Sequence, residues 1–328
     1  MGEDLTLSLM LDAVRNKYIA LTNEGVSRED AILRISKLDF EKILTDVTDT
    51  MSTDCIESFE QNMYENVLCS RLRVEKFLAH NEEIWYKGFI VSEAMYLIVL
   101  EMADNLRELV ISSQTDLLEG KGVRYMVLTE LHGRACQQYL EILHLLKGGF
   151  ADGAFARWRS LYELSIICEF ISENPETVAQ AYLDSADSDD GKNTWAKTAE
   201  CFKDSKRVTF DNIKKQCSYE NEYWKESYRL ANKIVHASPL GTFSRMGAIR
   251  TTEKLIPAGR SDYGLAIPAM NAAVSLFLVT AIYFSLTGIG DALLYVQTLG
   301  KWIDKIQTVY EDIQKECFDL GGEALEID

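Results

Sequence analysis

LTELHGRACQQYLEILHLLKGGFADGAFARWRSLYELSIICEFISENPE, residues 128–176, decides the fold class. It reads as a helix, a Gly-Gly stop, an aspartate and a second helix. Gly148 and Gly149 can adopt the left-handed conformation that ends a helix, and Asp152 is placed to cap the next one. Two helices joined by so short a turn are antiparallel neighbours. The glycine turn is not a phosphate loop: no strand precedes it, and no Lys-Ser/Thr pair follows in the required register.

Outward from this hairpin the pattern stays helical. Residues 55–110 show apolar positions three and four apart with acids between them. Residues 3–50 read as short amphipathic helices, with Ser27 as an N-cap and Asp30 in the place of the usual capping-box glutamate. Helices are expected again over Trp195–Cys217 and Glu220–Val235, and a last amphipathic one over Asp291–Cys317. Residues 236–264 break the pattern, and the acidic loop around 183–195 fails calcium-loop spacing, since Ala186 and Ser188 fall where ligands are needed. Only four prolines interrupt 328 residues, which favours long helices. The fold expected is all-α: a helical bundle of long antiparallel helices over 55–328, with an N-terminal helical extension over 1–54.

The chain carries a formal net charge of −17, so nucleic acid is repelled at long range unless a local basic patch offsets this. Lys203, Lys206, Arg207, Lys214 and Lys215 form the one candidate, and a solvated surface is the preferred reading. The seven cysteines are scattered, with no CxxC and no zinc spacing. That usage points to a reducing cytoplasm, and no metal or other cofactor is expected. Residues 269–290 have the length of a membrane span but contain Asn271, Ser275 and Thr280. A core helix is the better reading, with no membrane partner.

Two sets of polar residues stand out. Arg159 and Glu163 lie at i,i+4 on an otherwise apolar helix. They read either as an ion pair fixing helix register or as groups facing a polar cavity. On the 220–236 helix, Tyr223, Trp224, Tyr228 and Leu230 cover one side, while Arg229, Asn232, Lys233 and His236 gather on the other within ~100° of arc. That face is either solvated or catalytic. In the second case His236 exchanges protons, Arg229 stabilises negative charge and Asn232 orients.

Arg229 followed after six residues by His236 resembles the signature of the HEPN superfamily. Those are small all-α modules, often dimeric, many of them RNases of toxin–antitoxin and antiphage systems. Leu230 departs from the pattern, since active members usually carry Asn, Asp or His directly after the arginine. RSLYEL, residues 159–164, together with VHASP, residues 235–239, also resembles an uncharacterised bacterial family of unknown function. There Ser238 belongs to the shared His-x-Ser-Pro segment. The second resemblance carries no activity; the first implies a metal-independent ribonuclease or toxin-type effector of phage defence. Its expected partners are RNA, a second copy of itself and an antitoxin or defence-system protein. The alternative is a non-catalytic helical interaction or sensor module.

Overall fold

The computed structural model describes residues 5–113, 116–187, 193–218, 222–236, 238–243, 245–248 and 258–318. Residues 188–192 of the acidic loop, 249–257 of the irregular stretch and the last ten positions lie outside them, and with them part of the calcium-loop reading. Every regular element among the described residues is helical, as the sequence pattern requires.

The central hairpin pairs α4, Gly122–Lys147, with α5, Ala151–Glu173. Gly149, not Gly148, takes the left-handed conformation, at φ +73°. Gly149 N–H bonds Leu146 O at 2.9 Å and Phe150 N–H bonds Leu145 O at 2.9 Å. This is the paired closure of a Schellman turn. The remaining α4 end carbonyls are also taken up: Asn81 Nδ2 donates to Leu146 O (3.1 Å) and Lys147 O (2.9 Å), and Arg260 Nη1 to Gly148 O (2.7 Å). Helix ends buried in a bundle need such partners. At the opposite end Glu176 Oε1 accepts from Val123 N and Arg124 N at 2.7 and 3.0 Å, placing a carboxylate where the helix dipole favours one. Asp152 is not the cap of α5. That helix starts at Ala151, and Asp152 Oδ1 instead accepts Met246 N at 2.9 Å.

The chain divides into two units, Met1–Glu75 and Lys76–Asp328. In the second unit α10, Ala266–Ser285, packs on α4 and α5, and α11, Gly290–Cys317, packs on α10. α10 is the one described helix long and apolar enough to cross a membrane, yet most of it is buried in the bundle, with Leu276, Val279 and Phe284 in the core. Each such side chain contributes about 1.5–3 kcal/mol by leaving water. Trp158 Nε1 donates to Ser275 Oγ at 3.0 Å, fastening α5 to α10. The helix α3, Phe40–Ser112, contributes Trp85, Met95, Val99 and Leu106 to this core. Trp85 Nε1 donates to Asp262 O (2.8 Å), and Trp302 Nε1 on α11 donates to Val91 O (3.0 Å). His80 lies inside α3, not at a helix end, and its Nε2 is 3.3 Å from Asp262 Oδ2.

α6, Glu176–Asp184, follows α5. The stretch expected as helix over Trp195–Cys217 is instead two 3-10 turns and α7, Phe210–Lys214. Thr209 caps α7 reciprocally with Asn212. Short polar segments here satisfy their backbone locally instead of extending a helix. α8 runs over Glu222–Val235, and Pro239 opens a further short helix, α9, Pro239–Phe243, the position where a missing N–H costs nothing.

The first unit holds α1, Leu5–Asn23, α2, Arg28–Ile35, and α3 up to Glu75. The sequence boundary at 54/55 therefore falls within α3. Ser27 caps α2 as expected, its Oγ accepting Asp30 N at 3.2 Å. Among the described residues of this unit only Ala31 is buried.

Candidate functional site

α5 is apolar over most of its circumference, so its one i,i+4 pair of opposite charges meets: Arg159 Nε donates to Glu163 Oε1 at 3.0 Å. Tyr228 of α8 donates its hydroxyl to the same oxygen at 2.7 Å. The Arg159 guanidinium lies 5.7 Å from the Tyr228 ring centre, and Lys214 Nζ lies 5.0 Å from it. Behind them Trp158, Trp224, Tyr162 and Tyr228 form a run of ring contacts, 5.2–5.8 Å between centres. Burial pushes the Tyr228 hydroxyl up to about 12, and its bond to Glu163 and that group's charge act in the same sense. Tyr228 is thus a fixed donor near neutral pH, and Glu163 is committed to two donors. The arrangement clamps α8 to α5. With the two side chains 25% and 31% exposed, the ion pair itself contributes at most about 1 kcal/mol, and the aromatic stack carries more of the contact.

The other face of α8 carries the remaining candidates. Arg229 Nη2 is 2.9 Å from Glu226 Oε2, and both side chains are mostly exposed. Asn232 and Lys233 are half-buried, and His236 is exposed one residue beyond the end of α8. Ser238 has a local role: its Oγ donates to Lys233 O at 2.9 Å and accepts Gly241 N at 3.0 Å, joining α8 to α9. Among the described residues, neither Arg229 nor His236 bonds Arg159 or Glu163. Two cavities open on the second unit, of about 400 Å³ beside Gly149, Asp152 and Arg245, and about 340 Å³ beside Trp224, Asn271 and Glu311. None of the four residues lines either one.

Two participants escaped the sequence reading. Tyr228 was placed on the apolar side of its helix, and only the position of α5 reveals that this side meets Glu163. Glu226, three residues before Arg229, was visible as an i,i+3 partner. Of the basic stretch, Lys203 faces Glu200 at 3.5 Å, and Lys197 Nζ donates to Lys206 O at 2.9 Å.

The most buried titratable imidazole lies elsewhere. His132 of α4 shares a hydrogen bond with Thr280 Oγ1 (3.1 Å) and stacks on Tyr283 at 5.0 Å. Burial pushes it down to about 4, so it is a neutral core group. Among the described residues, no three His, Cys, Asp or Glu side chains gather as a metal site would require.

Residues 125–200 match a family described as a family of unknown function (DUF5677). The match takes in the α4–α5 hairpin with Arg159 and Glu163, and stops before Arg229 and His236. No curated protein and no solved structure matches the chain.

Proposed function

We propose that this protein is a helical interaction module, which works by presenting surfaces for assembly instead of by catalysis. The observation that carries the reading is the first unit's lack of a core. Among its described residues it buries Ala31 alone, while Phe59 is 70% exposed, Met63 58% and Ile56 57%. Contiguous apolar surface of this kind marks a binding face. Helices that bury nothing do not hold their shape by propensity alone. The polar groups that could carry chemistry are, by contrast, engaged in fastening helices or sit open to solvent.

A second reading keeps the HEPN-like ribonuclease or toxin-type effector. It is favoured by Arg229, Asn232 and His236 sharing one accessible side of α8, where a partner could complete a site on RNA. Incubation of wild type, His236→Ala and Arg229→Ala with RNA in the presence of EDTA separates the two. The interaction module gives no cleavage by any of the three. Cleavage by wild type that both substitutions abolish, with unchanged circular dichroism, establishes the nuclease and overturns the first reading.

A further inference from the structure

Resting on the interaction-module reading, we infer that the first unit's part of α3 pairs antiparallel with the same helix of a second copy of this chain. At 100° per residue, Ile56, Phe59, Met63, Val67, Ser70 and Val74 fall on one stripe ~80° wide. Ile56, Phe59 and Met63 are more than half exposed and Val67 is 44% exposed. The steps between them are three, four, four, three and four residues, a mixture that keeps a seam facing a neighbouring helix over this length. Read backwards, the stripe nearly repeats itself. About a centre between Met63 and Val67, Ile56 meets Val74 of the other copy and Met63 meets Val67.

Charge selects this orientation. Residues 41–65 contain seven acids and one base, Lys42, whereas residues 66–76 contain Arg71, Arg73 and Lys76 against Glu75. Parallel pairing stacks the acidic stretch on itself. Antiparallel pairing sets it against the basic stretch of the other copy. Glu60 and Arg71 border the stripe on the same side, and in an antiparallel pair about a two-fold axis equal sides face each other. Glu60 of each copy then meets Arg71 of the other, giving two ion pairs. A parallel pair would bring each to the opposite border, where Cys55 and Asn66 stand.

Sedimentation equilibrium of the full chain tests this. The wild type is expected to dimerise, more weakly in high salt because exposed charges are screened. Phe59→Asp with Met63→Asp is expected to give a monomer with lower ellipticity, since the first unit's helices then bury almost nothing, and with unchanged tryptophan emission from the second unit. Glu60→Arg or Arg71→Glu alone is expected to raise the dimer Kd about tenfold, and the two together to restore it. A monomeric wild type, or a dimer indifferent to the stripe substitutions, overturns the second copy as occupant. Single reversals that the double variant does not repair overturn the antiparallel orientation. A monomer whose residues 56–74 resist amide exchange has the stripe covered by its own chain, and that too overturns the inference. The interaction-module reading fails separately, on His236-dependent RNA cleavage.

Discussion

At the scale of single residues, His132 gives the clearest consequence. Its imidazole titrates near 6.5 in the unfolded chain and is held down to about 4 by burial in the fold. Between those values the unfolded state binds a proton that the native state refuses. The stability contribution is therefore fully present above pH 6.5 and is lost as pH falls toward 4. At 1.36 kcal/mol per unit the loss is about 3 kcal/mol in all. Urea midpoints measured from pH 7 to pH 4.5 should fall, and His132→Gln should flatten that dependence while lowering stability at pH 7. A wild-type profile with the slope of the variant would show that His132 protonates in place. Nothing in the local sequence marks this residue as buried. Its depth is set by Thr280 and Tyr283 of α10, more than a hundred positions away.

At the scale of elements, the turn between α4 and α5 decides whether the bundle can form. Gly149 sits at φ +73°, and a Cβ there would stand 2.5 Å from the Phe77 ring and 2.8 Å from Ser261 O. Gly149→Ala thus meets both backbone strain and a clash. It should destabilise the second unit by about 2–4 kcal/mol, read as a lowered urea midpoint at pH 7. Gly148, at φ −73°, should accept alanine at much smaller cost, and equal losses at the two positions would contradict the turn assignment. This hairpin was legible because glycines and helical stretches report on local backbone choices. The 3-10 turns around Trp195 were not, because their apolar residues are buried without a helical period. Nor was the clamp at Glu163 fully legible. Its i,i+4 arginine is local, but Tyr228 arrives from a helix that packing alone brings alongside. Arg229 and His236 were legible as a face of α8, and a helical wheel cannot say what stands opposite such a face.

At the scale of the whole molecule, the chain joins a unit with a large core to one with almost none. All five tryptophans, at 85, 158, 195, 224 and 302, belong to the Lys76–Asp328 unit. Indole emission therefore watches only the bundle, whereas far-ultraviolet ellipticity sums the helices of both units. In dilute protein, rising urea should erode ellipticity before the emission maximum moves. Superimposable curves would instead mean that the first unit is held as firmly as the second. Tryptophan emission by itself would describe the molecule as a single cooperative body and report nothing of its first seventy-five residues.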